Sequence, residues 1–423
     1  MTLESRSAPK ETAGRQTVPL INPAVRTYLM LLPASLLISI FAGYFGRTFL
    51  DALVFQPDDG WCDLEARDGV GVHCFGDFAH PFNTGGFNNF YEPGNVAAVN
   101  PPVVLLLHRY FQLFDFNSAL IIYLGLGLLA WLSMTQLRIF QMNIYVILFI
   151  FTNAGFLAAF DRANPMIFVV PLLALFMASV NESPNIRTAI GAASLCLLKF
   201  WTPLVLLPLV FLRRFKLLVL GAGITISSTL AAFFLHGDGV LHSLKITYGE
   251  VTSESSNSSW SMTAISLDGF AKLLARLHPF GENFVTISQV FSPAFVILCF
   301  ILSGFFWRRG DSWEGWLALM LIPLVGLPSS QVYNLAILVP LAILAPLSAE
   351  KESRWRRLLG QLTGFLLLPH GFLLQDLGLV AAGPTRIQTV LVPVVAVGMA
   401  AVLVIQAVSL NRANQRHYGQ SPV

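Results

Sequence analysis

Charge is what this chain has least of. Of its 423 residues only 12% are Asp, Glu, Lys or Arg, against 55% hydrophobic, whereas soluble domains carry about 25% charged residues. That excludes a water-soluble globule, because there is too little polar material to cover one. Cysteine is scarce as well, with four residues. Cys196 and Cys299 fall in apolar runs and pack there. Cys62 and Cys74 share one polar loop; they pair as a disulfide if that loop faces an oxidising compartment and stay two thiols otherwise. Also missing are a phosphate-binding glycine loop, a helical zinc-ligand pair and a nucleophile-elbow serine. No metal and no cofactor is indicated. The net charge of +3 is too small to point to a nucleic-acid partner. No repeat relates the two halves, as a transporter assembled from inverted halves would show.

What the chain does have is apolar runs, and they predict an all-α, polytopic transmembrane protein. Runs fall near residues 27–46, 117–136, 143–160, 165–180, 188–199, 201–212, 217–235, 286–306, 313–327, 332–347, 358–375 and 387–408. This amounts to about twelve spans if each crosses the bilayer. Those between 143 and 212 are short, so they must tilt, break or border a water-filled cavity. With the N-terminus placed in the cytoplasm, roughly twice as many basic residues fall inside as outside. The tight clusters Arg213–Lys216, Arg308–Arg309 and Arg354–Arg357 all fall inside. The expected layout is a cytoplasmic, disordered lead over 1–26 and a transmembrane core over 27–347 with extracytoplasmic loops at 47–116 and 236–286. Additional spans over 348–408 and a cytoplasmic tail over 409–423 complete it. The plasma membrane is the expected location, with both termini cytoplasmic.

The first large loop is acidic and aromatic. Its stretch Val103–Phe114, opened by Pro101-Pro102, repeats apolar residues at helical spacing. It reads as an amphipathic helix in the outer interface, with His108, Arg109 and Gln112 between the apolar positions. Polar candidates gather at the outer ends of the runs. Asp77, beside Phe78, could gain a raised pKa among apolar rings and act as a base; the alternative is one acid among eight on a solvated loop. Arg162 suits a phosphate, although Asp161 beside it could simply neutralise it. Lys199 could meet an anionic headgroup or snorkel to the interface. Tyr248 and Asn257, in a second loop rich in hydroxyls and amides, suit a sugar, and Gln331 and Tyr333 could line the same cavity.

The order of these motifs carries a resemblance. Gly76-Asp77-Phe78, then Tyr91, then Asn100-Pro101-Pro102 opening a helix are followed by Asp161-Arg162-Ala163-Asn164. Next come Leu198-Lys199-Phe200-Trp201-Thr202-Pro203, Leu212-Arg213-Arg214-Phe215-Lys216, Asn257-Ser258-Ser259 and Tyr333-Asn334. From about residue 28 to 347 the chain resembles the membrane glycosyltransferases of the C-type fold, glycosyltransferase family 87. That family includes polyprenyl-phosphate-mannose-dependent mannosyltransferases and arabinofuranosyltransferases of the cell envelope. The resemblance implies inverting transfer of a sugar, mannose or arabinofuranose, from a polyprenyl-phosphate donor to a hydroxyl of a glycolipid or polysaccharide on the extracytoplasmic side. It also implies that Asp77 is the general base. The leaving lipid phosphate gains charge, and Arg162 and Lys199 are the cations available to hold it; Asn164, Tyr91, Asn257, Tyr248, Gln331 and Tyr333 are the expected substrate contacts. Gly76 stands where some relatives carry an acidic or apolar residue, and Asn100 where most carry tyrosine. The competing class is a transporter or flippase of a lipid-linked or anionic substrate.

Overall fold

The computed structural model describes residues 22–44, 75–84, 100–134, 143–182, 185–236, 239–256, 264–277, 281–327, 330–345, 354–369 and 387–418. Regular structure among them is helical throughout. In chain order α1 is Pro23–Tyr44, α2 Gly76–Thr84, α3 Pro102–Phe111, α4 Phe116–Met134, α5 Ile144–Thr152, α6 Ala154–Asp161, α7 Met166–Glu182 and α8 Ile186–Cys196. A 3-10 turn at Thr202–Leu206 leads into α9 (Leu207–Phe211), followed by α10 (Phe215–His236), α11 (Val240–Ser256), α12 (Leu267–Leu277) and α13 (Gly281–Arg309). The helix α14 (Ser312–Leu321) passes into a π turn at Ile322–Gly326, and a 3-10 turn at Val332–Ile337 starts α15 (Leu338–Leu344). Finally come α16 (Arg354–Leu366) and α17 (Ile387–Tyr418).

Four stretches are long and apolar enough to cross a bilayer: Phe116–Met134, Phe215–His236, Asn283–Arg309 and Thr389–Arg412. Apolar side chains such as Val219 (70% exposed) and Phe234 (79%) point away from the protein on α10, as expected of surfaces bathed in lipid. Several other apolar helices, such as α3, α8 and α14, are short of the about 20 residues that cross unaided. Among the described residues four helices are thus long and apolar enough to cross unaided, within the expected layout of about twelve apolar runs.

Two sequence expectations change in detail. The apolar run at 143–160 is broken into α5 and α6 by Asn153, which is fully buried. Its side chain accepts from the Phe156 amide (2.9 Å) and donates to the carbonyls of Phe149 (3.0 Å) and Ile150 (2.8 Å), ending one helix and capping the next. The segment expected as a loop over 236–286 contains α11, α12 and the start of α13. In α12, Leu267, Ala271 and Leu273 are buried, and Lys272 and Asp268 form an i, i+4 ion pair at 2.8 Å.

The N-terminal helix is locked into the core. Asn22 Nδ2 donates to the carbonyls of Ala342 (2.9 Å) and Ile343 (3.0 Å), and the Tyr28 hydroxyl pairs with Thr152 at 2.9 Å. Where α1 crosses α16, a methyl group on Gly364 would lie 2.1 Å from the Ala24 carbonyl oxygen, so only glycine allows the approach. At the start of α14, Glu314 is fully buried and accepts from Arg356 of α16 and from Gln406 of α17. Arg356 also reaches Asp311 at 3.3 Å. A buried carboxylate that loses its cation costs about 3–5 kcal/mol. Arg356→Met is therefore expected to lower the melting temperature in detergent markedly, and Glu314→Gln in the same chain to recover part of the loss.

Candidate functional site around Asp77

Three separated parts of the chain meet at Asp77. The first is α2 itself. Asp77 lies in its first turn, where a carboxylate is favoured by the helix dipole. The Asp77 amide donates to the Arg162 carbonyl at 3.1 Å, which satisfies one of the unpaired donors at a helix start. The next residue, Phe78, is fully buried and anchors the turn. Its ring lies 4.9 Å from Tyr123, 5.3 Å from His108, 5.6 Å from Phe82, 5.8 Å from Phe111 and 5.9 Å from Phe116. Truncating such a ring costs about 3–5 kcal/mol. Phe78→Ala is expected to lower the unfolding temperature and to cut turnover, because α2 then no longer holds Asp77 in one place.

The second part is the turn after α6. Ala163 sits at φ 47° and Phe75, two residues before Asp77, at φ 57°. Non-glycine residues pay for this left-handed region, and such strain gathers at sites where side chains must be aimed. The turn at Ala163 sends both Arg162 and Asn164 to the same carboxylate. Arg162 donates to Asp77 Oδ1 through Nε at 3.1 Å and through a terminal nitrogen at 2.8 Å. Asn164 Nδ2 donates to Oδ2, while Asn164 Oδ1 accepts from the Met166 amide at 3.0 Å. That second bond fixes which way the amide faces, so the group turned to Asp77 is the donor.

The third part is the turn between α8 and α9. Buried Thr202 binds it, with its hydroxyl donating to the carbonyls of Leu195 (2.6 Å) and Lys199. The Lys199 ammonium lies 5.1 Å from the centre of the Tyr333 ring, a cation–π distance. Tyr333 belongs to the 3-10 turn that packs against α6. A methyl group on Gly155 of α6 would lie 2.3 Å from the Ala336 nitrogen, so this glycine lets α6 touch the backbone of the turn that carries Tyr333.

The electrostatics differ from the raised pKa that the sequence suggested. Burial alone pushes the Asp77 carboxyl up, but the Arg162 charge and its hydrogen bonds, the Lys199 charge and the Asn164 amide together outweigh it. The carboxyl is held below its ordinary value of 3.8. Arg162 is paired with Asp77, which is 22% exposed. Asn164 is 1% exposed and uses both ends of its amide inside the protein. It thereby holds Asp77 in place.

The remaining candidates divide. Gln331 precedes the 3-10 turn that carries Tyr333, and its carbonyl accepts from the Asn334 amide at 2.8 Å. Tyr248 stands 74% exposed on α11, whose packing is against α10. Cys62, Cys74, Tyr91 and Asn257 lie outside the described residues. His108, expected on the polar face of an interfacial helix, is instead 1% exposed in the aromatic cluster, where its Nδ1 bonds to the Val104 carbonyl at 2.9 Å. Leu107 (46% exposed) and Tyr110 (60%) form the outer face of α3 in its place. Gly155 and Tyr123 were not legible as site-shaping residues, because a glycine and a tyrosine in apolar runs carry no local signal. Among the described residues no cluster of His, Cys, Asp or Glu could hold a metal ion.

An ionised carboxylate with a guanidinium and an amide bonded to it is costly among apolar helices, and such groups gather at functional sites. The chain belongs to glycosyltransferase family 87, whose model matches residues 98–330, more than half of the chain. No curated protein and no solved structure matches. The matched stretch contains Arg162, Asn164 and Lys199 and stops short of Asp77, which the fold delivers to them.

Proposed function

We propose that this glycosyltransferase takes its sugar from a polyprenyl-phosphate donor and passes it, with inversion, to a hydroxyl of a cell-envelope glycolipid or polysaccharide. The reading places it in the plasma membrane with the site on the extracytoplasmic side and the termini in the cytoplasm, following the distribution of basic residues. The observation that carries it is the pairing of Asp77 with Arg162, with the Lys199 charge near enough to be felt by the same carboxyl. The acceptor oxygen attacks the anomeric carbon and the bond from that carbon to the phosphate oxygen breaks. The leaving polyprenyl phosphate keeps the electron pair, and the acceptor proton passes to Asp77. Arg162 and Lys199 meet the charge that grows on the phosphate, and a positioned carboxylate assists the nucleophile. Tyr333 and Gln331 border the donor.

The test is transfer by purified protein in liposomes given polyprenyl-phosphate-linked radiolabelled mannose or arabinofuranose and an envelope glycolipid extract. Labelled glycolipid formed from the lipid-linked sugar and not from a nucleotide sugar is the expected result. Use of nucleotide sugars alone defeats the proposal. Movement of the lipid-linked sugar between leaflets without any transfer favours the transporter reading.

The acid limb of kcat/KM provides a second check. A base whose folded pKa is depressed stays ionised until the pH falls below its ordinary range, here 3.8. The profile, which reports the unbound enzyme, is expected to be flat from neutral pH down to about 4. The ion pair's contribution to stability has the same sign: it is present above the ordinary carboxylate range and lost on acidification below it.

A further inference from the structure

We infer that Arg162 is shared between the base and the donor, so that arrival of the donor phosphate releases Asp77 and turns it into a competent base. This rests on the function proposed above. A carboxylate offers about four in-plane acceptor positions. At Asp77 three are taken: two by Arg162 on Oδ1 and one by Asn164 on Oδ2. In this state the carboxylate is a poor proton acceptor, since its charge is matched and most of its lone pairs are used. The two partners are held differently. Asn164 is 1% exposed and fixed through the Met166 amide, so it stays. The Arg162 side chain is 16% exposed and ends a long flexible stem, so its guanidinium can turn to a second anion without leaving the site. A phosphate accepts a guanidinium in the same forked way as a carboxylate. Lys199, held over Tyr333, supplies a second positive charge for that anion.

When the phosphate takes Arg162, Asp77 loses two of its three hydrogen bonds and its main counter-charge. It remains aimed by Asn164, with Oδ1 now open to the acceptor hydroxyl. Base strength then appears only when a donor is present, so the donor binds before the acceptor is activated.

Binding of polyprenyl monophosphate, the common leaving group, tests this on the full-length protein in lipid nanodiscs. Because binding and the Asp77–Arg162 pair compete for one guanidinium, Asp77→Asn is expected to bind it about tenfold more tightly than the unaltered protein. Asp77→Ser, which makes different packing demands, must show the same sign, and melting curves establish that each variant is folded. Removal of a like charge would also tighten binding, so the cycle is completed with Arg162→Gln. In that background the gain from Asp77→Asn is expected to fall to about twofold or less. An undiminished gain there, or no gain in the first place, overturns the sharing of Arg162 while leaving Asp77 as the base. Full sugar transfer by Asp77→Asn would instead remove the functional reading on which the inference stands.

Discussion

Replacing Asp77 by asparagine will cut sugar transfer roughly 10²- to 10⁴-fold, the range that a positioned acid or base supplies, and will leave the protein folded. Asparagine has nearly the same shape and can still accept from Arg162 or Asn164 through its carbonyl oxygen, so α2 keeps its place. Phe78, buried among five rings, anchors that helix independently of the charge at residue 77. What is lost is an anionic oxygen able to take a proton as the new glycosidic bond forms. The measurement is turnover of lipid-linked sugar at saturating donor, with a melting curve beside it. Turnover within a few fold of the unaltered protein would take the base role away from Asp77. Loss of folding together with turnover would mark Asp77 as structural glue for Arg162.

The other large effect is expected at Gly155, far from any reacting atom. A methyl group added there meets the Ala336 nitrogen at 2.3 Å, the Ala336 Cα at 2.5 Å and the Leu335 carbonyl carbon at 2.8 Å. All three are backbone atoms, so no side-chain rotation relieves the clash, and α6 must part from the 3-10 turn at Val332–Ile337. Overpacking in a core costs about 1–3 kcal/mol where side chains can adjust; here the cost belongs at or above the upper end. The consequence extends to the site. Arg162 leaves the far end of α6, and Tyr333, whose ring carries Lys199, belongs to the displaced turn. Gly155→Ala is therefore expected both to lower the melting temperature and to weaken polyprenyl phosphate binding. Gly223→Ala is the control, because its added methyl group meets nothing within 4 Å. Equal behaviour of the two variants would show that the backbone contact does not set the site.

The sequence carried the site's membership better than its wiring. Asp77, Arg162 and Lys199 could be singled out because charge is costly in so apolar a chain, and their surroundings limited the chemistry they could serve. The short helices between 143 and 212 and the proline-led start of α3 were legible from run lengths and from Pro101-Pro102. That Arg162 pairs with Asp77 was not legible, because the two are 85 positions apart in the chain. Nor was the role of Asn164, which depends on the Met166 amide fixing the orientation of its side chain. His108 misled because polarity was read as exposure, whereas an imidazole bonded through Nδ1 to the carbonyl one turn back lies buried among rings. The run at 143–160 was read as one span; that Asn153 splits it follows from three simultaneous bonds of its side chain. The helices within 236–286 were hidden by serine and asparagine content, which biases toward loops without forbidding helix.

The order in which the parts of the site occur along the chain bears on its biogenesis. Asp77 is made early, Arg162 and Lys199 follow as the middle of the chain is synthesised, and Tyr333 arrives only after most of the polypeptide has been translated. A nascent chain emerging from the ribosome thus carries its acid into the membrane well before the cations and the ring that complete the constellation. On the function proposed above, a product truncated before residue 333 lacks the ring that Lys199 lies over and is expected to transfer no sugar, however well its first helices insert.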